Sequence, residues 1–162
     1  MRELDVVGVR VEMPANNPIV LLRERDGDRY LPIWVGAPEA SAIAFAQQGV
    51  VPPRPLTHDL LKDVIEALGR RLEEVRIIAI RDNVFNAELV FDGGLVVSSR
   101  SSDAIALALR AGCRIVGAEE VLEAGGVSVP DEDEDEVEKF REFLDQISPE
   151  DFGERGQNPE AS

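Results

Sequence analysis

Thiols, lysines and long apolar runs are scarce in this sequence, and each scarcity closes off a class of protein. The 162 residues include one cysteine, Cys113, which excludes an internal disulfide and any metal centre built on several thiolates. Cys113 follows Gly112 and reads as a small packed residue. No apolar stretch approaches the roughly 20 residues that cross a bilayer. Met1-Arg2-Glu3-Leu4-Asp5 lacks the basic segment and apolar block of a secretory signal, so a soluble cytoplasmic protein without membrane contact is expected. Lysine occurs only as Lys62 and Lys139. The formal charge is −15 and unevenly spread: from Asp131 onward 13 acidic residues face 3 basic ones, while the preceding 130 residues carry 19 and 14. Even that body lacks the basic excess of a protein that coats DNA or RNA. Any nucleic-acid contact is therefore expected to be local, transient or metal-assisted. Gly36, Gly93 and Gly94 read as turn residues rather than a phosphate-binding fingerprint, and no pattern matches a Ser-His-Asp triad.

What is present is short strands and apolar helices in a recurring order. Leu4 to Glu12 alternates Val7, Val9 and Val11 with more polar neighbours and predicts a strand. Pro14 to Pro18 is a loop, and Ile19 to Leu22 a second strand. Asp26-Gly27 predicts a hairpin whose two central residues take positive φ. The third strand, Tyr30 to Val35, contains Pro32, which calls for an edge position or a bulge. Tyr30 and Trp34 alternate on it and read as core rather than as a base-stacking platform. An alanine-rich helix follows from Glu39 to Gln48, ended by Gly49. The order then returns, with strands at Val75–Ile80, Val84–Phe91 and Leu95–Ser98 and a helix opening near Ser102. At an offset of 62 residues, Ala42-Ile43-Ala44-Phe45-Ala46 lies over Ala104-Ile105-Ala106-Leu107-Ala108 with four identities in five. The expected fold is thus α+β, a mixed or antiparallel sheet with helices, with an internal duplication of a β-β-β-α unit around a central helix.

That central helix is preceded by Pro52-Pro53-Arg54-Pro55, an extended arm because each proline fixes its own φ and restrains its predecessor. Thr57 reads as the N-cap, Leu60, Leu61, Val64, Ile65 and Leu68 as one buried stripe, and Gly69 as the stop. The one histidine, His58, lies in the first turn beside Asp59. Further on, Ile115-Val116 is a short strand and Ala118 to Ala124 a short helix. Residues 1–130 read as the domain. Residues 131–148 read as an acidic linker plus an amphipathic helix, with Val137, Phe140, Leu144 and Ile147 on one stripe, and 149–162 as a disordered tail.

Three blocks resemble the bifunctional nuclease domain family, in order and spacing, over about residues 4 to 130. They are Leu31-Pro32-Ile33-Trp34-Val35-Gly36 with Glu39-Ala40, then Arg54-Pro55-Leu56-Thr57-His58-Asp59-Leu60, then Arg100 and Ser102 to Arg110. The resemblance implies an α+β domain, a homo-oligomer (a dimer favoured) and cleavage of both DNA and RNA. In the third block the family's Asp-Ala-Arg-Pro-Ser-Asp becomes Ser98-Ser99-Arg100-Ser101-Ser102-Asp103 here. An acidic position is lost at Ser98, and with it a ligand if that carboxylate held a metal.

Phosphodiester hydrolysis needs an activated water, neutralised phosphate charge and a protonated leaving oxygen. The candidate catalytic residues are His58, Asp59, Glu39 and Asp103, the three carboxylates doubling as ligands for magnesium or manganese. Arg54 and Arg100 would clamp phosphate as guanidinium forks, with Thr57 and Ser102 as further substrate contacts. Each residue also has a plainer role. An acid in a first helical turn stabilises the helix by roughly 0.3–1 kcal/mol without any catalysis, and the arginines would equally pair with those acids. Two functions stay open at this point: a nuclease of low sequence specificity, and a non-enzymatic oligomeric module that binds a small anion, a nucleotide or a protein.

Overall fold

A computed structural model describes residues 1–12 and 17–128. Eight strands and four helices follow one another as β1 (Arg2–Glu12), β2 (Asn17–Glu24), β3 (Arg29–Trp34), α1 (Ala37–Gln48), α2 (Thr57–Ala67), β4 (Leu72–Arg81), β5 (Val84–Phe91), β6 (Val96–Arg100), α3 (Ser101–Ala111), β7 (Arg114–Gly117), α4 (Glu119–Gly125) and β8 (Val127–Ser128). A 3-10 turn at Asp92–Gly94 links β5 to β6. The strands form one mixed sheet in the order β6-β5-β4-β7-β1-β2-β3-β8, with only β4 and β7 parallel. The α+β expectation holds. The order β-β-β-α occurs twice, and the aligned pairs Ala42-Ile43 and Ala104-Ile105 are all buried. That recurrence is one of element order; a duplication stays an expectation of the sequence.

The alternation of β2 divides two clusters. Val20 and Leu22 face the main core with Leu31, Ile33, Ile43, Val75 and Ile105. Ile19 and Leu21 face the other side, where Tyr30, Trp34 and Val127 cover them. Pro32 pairs with Leu21 of β2, and its ring N faces an edge with no strand neighbour, because β8 reaches only Arg29 and Tyr30. The hairpin chemistry is corrected. Gly27 does not take positive φ, and its missing Cβ instead makes room for the Glu24 carboxylate, which the added atom would strike. Among the described residues the non-glycine positions with positive φ are Asp82 (53°) and Asn83 (63°), in the two-residue turn from β4 to β5.

The helix at the centre is α3 and not α2. Ser101, Ser102 and Ala104 to Ala108 are all buried, and α3 touches α1, α2, β4, β5, β6 and β7. Its alanines let those neighbours come close. The expected buried stripe on α2 is overturned: α2 buries none of its residues, with Leu60 55% and Leu68 73% exposed. Ile65 alone among them packs against the main core. Thr57 is also not the N-cap; Leu56 is, and Thr57 is the exposed first residue of the helix. At the far end, α4 touches both β3 and β4, which stand four places apart in the sheet, so the sheet curls. Gly125 lies at the closure, where a Cβ would come within 2.9 Å of Ile80 and 3.3 Å of Leu31 and Phe85. No helix of the described residues is long and apolar enough to cross a membrane. The expected acidic linker, C-terminal amphipathic helix and tail lie outside the described residues.

Candidate active site

Three helices begin with a carboxylate in the same place. Glu39, Asp59 and Asp103 are each the third residue of their helix, α1, α2 and α3. From there a side chain can fold back over its own N-cap, and the helix dipole favours its negative charge. Asp59 Oδ2 accepts the Leu56 N–H at 3.0 Å. Glu39 bends over Gly36, where an added Cβ would stand 2.6 Å from its Oε1. Asp103 is met by Arg100, its own N-cap residue.

Arg100 joins two of these helix starts. Its Nε and Nη2 both lie 2.8 Å from Asp103 Oδ2, and Nη2 also donates to Glu39 Oε2 at 3.0 Å. His58 brings in the third, with Nε2 2.9 Å from Asp103 Oδ1. A chain Glu39–Arg100–Asp103–His58 therefore runs from α1 through the β6–α3 junction to α2. An ionised Asp103 accepts, which assigns the proton to Nε2 and leaves Nδ1 with the lone pair of the neutral ring. Burial pushes the Asp103 carboxyl up, but the bonds from His58 and Arg100 outweigh it and hold it below the ordinary carboxylate range. The same carboxylate raises Arg100, with Glu39 adding to it.

Asp59 stands in a separate pair. Its Oδ1 accepts from Arg110 Nε at 2.6 Å. Burial raises this carboxyl too, and the Leu56 N–H and Arg110 overcome it, leaving its pKa lowered. Arg110 is the residue sequence reasoning missed. A basic side chain in a last helical turn is an ordinary partner of the helix dipole, and nothing in the sequence marks it as buried. Ser102 is buried as the second residue of α3. Arg54 is exposed on the proline arm and makes no hydrogen bond or ion pair among the described residues. Ser98 is exposed on β6, opposite Glu88 of β5 and two residues before Arg100, hence on the same face of the strand.

The expected three-carboxylate ligand set is divided. Among the described residues no three His, Cys, Asp or Glu side chains gather where a metal ion could be held. Glu39 Oε2 and Asp103 Oδ2 do converge, but on the Arg100 guanidinium.

Residues 20–130 match the sequence profile of the bifunctional nuclease domain. The chain belongs to that family. The match takes in every residue of the network, Arg54 and Arg110 included. The chain is also 56% identical, over 161 residues covering 94% of its length and 98% of theirs, to uncharacterized proteins from two strains of Mycobacterium tuberculosis, CDC 1551 and H37Rv. In this bifunctional nuclease domain the distinctive Arg-Pro-Leu-Thr-His-Asp block thus supplies an exposed arginine without a partner among the described residues, the imidazole of the network and a carboxylate turned to a different partner.

Proposed function

We propose that this protein hydrolyses phosphodiester bonds in DNA and RNA with low sequence specificity, in the cytoplasm, at the place where α1, α2 and α3 begin. The observation that carries the reading is the hydrogen bond between His58 Nε2 and Asp103 Oδ1, a base held by an orienting carboxylate. With its tautomer fixed, His58 takes a proton from water at Nδ1 as the water oxygen bonds to phosphorus. The ester P–O bond breaks, and the leaving oxygen takes a proton from solvent. Arg54, which has no acidic partner among the described residues, and Arg100, which is two-thirds exposed, neutralise the phosphate oxygens. Magnesium or manganese belongs to the reading as an assisting ion. Glu39 and Asp103 would hold it with the two oxygens that now meet on Arg100, and when bound it would supply further charge neutralisation.

A second reading, a binding module without catalysis, draws on the fact that Glu39, Asp59 and Asp103 are all neutralised by arginines. An assay on labelled single-stranded DNA and RNA, with magnesium, manganese or a chelator, separates the two. Hydrolysis is expected, and His58→Ala should lower kcat by on the order of 100-fold or more, with the melting temperature kept. Equal traces in both proteins would identify a contaminant and leave the binding module. Self-association completes the reading: a second copy would cover the exposed Leu60, Leu61, Val64 and Leu68 face of α2 and form a two-fold dimer.

A further inference from the structure

Packing secures α2 weakly. It buries none of its residues, and an isolated helix of 11 residues is marginal in water. Its position depends on what grips its first turn, and there the grip is polar. One contact is the bond from His58 to Asp103 already described. The other comes from Arg110, in the last turn of α3 and 51 residues from its carboxylate partner.

The Arg110 side chain is 8% exposed, and three of its N–H groups are engaged. Nη1 donates to Ala106 O at 2.8 Å, one turn back in α3, and Nη2 to Ala42 O of α1 at 2.9 Å. Those two carbonyls fix the plane of the guanidinium, so Nε can point in only one direction. Asp59 meets Nε with one oxygen and the Leu56 N–H with the other. The carboxylate is therefore fixed at both oxygens, and with it the first turn of α2. His58 is its neighbour in that turn.

We propose that Arg110 is a positioning residue for His58. By seating Asp59 against α1 and α3, it sets the first turn of α2 so that His58 Nε2 meets Asp103 and Nδ1 keeps the lone pair. The catalytic consequence rests on the nuclease reading above; the positioning itself does not. Lysine at 110 would keep the charge but not the planar fork that serves three acceptors.

Because His58 is the one histidine, imidazole 15N NMR of the full-length protein reads a single ring. At mildly alkaline pH the unmodified protein should show the Nε2–H tautomer alone. Arg110→Lys and Asp59→Asn should each show mixed tautomers while circular dichroism keeps its helical signal. The double variant should be no more mixed than either single one, because both act through the same link. If Arg110→Lys fails to fold, Asp59→Asn decides, since it alters a partly exposed carboxylate at a helix start. A single Nε2–H tautomer in the folded variants would overturn the proposal. On active protein, Arg110→Lys should lower kcat by on the order of 100-fold with KM nearly unchanged, as for a misplaced reacting group. A loss confined to KM would count equally against it. Absence of hydrolysis in the unmodified protein would remove the nuclease reading and leave the tautomer measurement to decide on Arg110.

Discussion

Helices α2 and α3 are each 11 residues long, carry an aspartate at the third position and present apolar side chains, yet they have opposite places in the molecule. α3 is apolar almost all round, and four of its residues are alanine, so the sheet and two helices close on it. α2 carries a narrow stripe of large side chains, Leu60, Leu61, Val64 and Leu68, that stays exposed. One helix is the frame; the other is carried by it. The candidate active site lies across their junction, with Asp103 on the frame and His58 on the carried helix. The base proposed at His58, on the less tightly packed element, would adjust to substrate only so far as its polar anchors allow.

The largest effect that separates the two helices should come from their apolar side chains. Leu107 is 1% exposed, and Leu107→Ala should cost about 2–5 kcal/mol from lost burial and the cavity left behind. In the single copy, at protein concentrations too low for self-association, Leu60→Ala should change stability by no more than about 0.5 kcal/mol, as for an exposed surface position. Urea unfolding of both variants measures the contrast. A loss at Leu60 equal to that at Leu107 in the dilute protein would mean that α2 is packed within the single copy, and the contrast between the helices would fail.

A smaller but direct test concerns that covering. Leu60→Asp with Leu68→Asp changes the most exposed leucine of α2 and the exposed leucine at its C-cap, and leaves Ile65, the helix's contact with the core, in place. Sedimentation should find a dimer in the unmodified protein and a monomer in the variant, with far-ultraviolet circular dichroism retained. A monomeric unmodified protein at high concentration would refute self-association through this face.

The contrast between the helices also explains what could be read from the residues alone. The apolar run Ile19 to Leu22 was recognisable as a strand, and Gly49 as the end of α1, which it closes in the left-handed region at φ 73°. Such signals are local and survive folding. The burial of α2 was not legible, because helical periodicity shows which face is apolar but not whether the same chain supplies a surface to cover it. Nor was the division of the acids. Glu39, Asp59 and Asp103 are recognisable as first-turn residues, but the arginines that sort them come from 61 and 51 residues away for Glu39 and Asp59. The pairing of charges over such separations is a property of the packed helices. The Asp82-Asn83 turn was recognisable as a turn, whereas its positive φ values were expected instead at Asp26-Gly27.

The smallest effect should be one of pH, and it should fall on α2 first. Asp59 and Asp103 are both held below the ordinary carboxylate range: burial opposes this, and the bonds from Leu56 and Arg110, and from His58 and Arg100, prevail. A carboxyl whose pKa is lower in the folded state stabilises that state at pH above its unfolded value, about 3.9 for aspartate. The contribution is lost as pH falls through the folded value. Both aspartates serve the attachment of α2 to α3, whereas α3 is held mainly by apolar contacts that do not titrate. Hydrogen exchange, corrected for the intrinsic rate at each pH, should therefore show α2 amides losing protection below roughly pH 4, before those of α3. Asp59→Asn should flatten that dependence by removing one of the two titrating anchors. Parallel loss in both helices would show that acid acts on the whole domain at once, and α2 would then be as firmly part of the frame as α3.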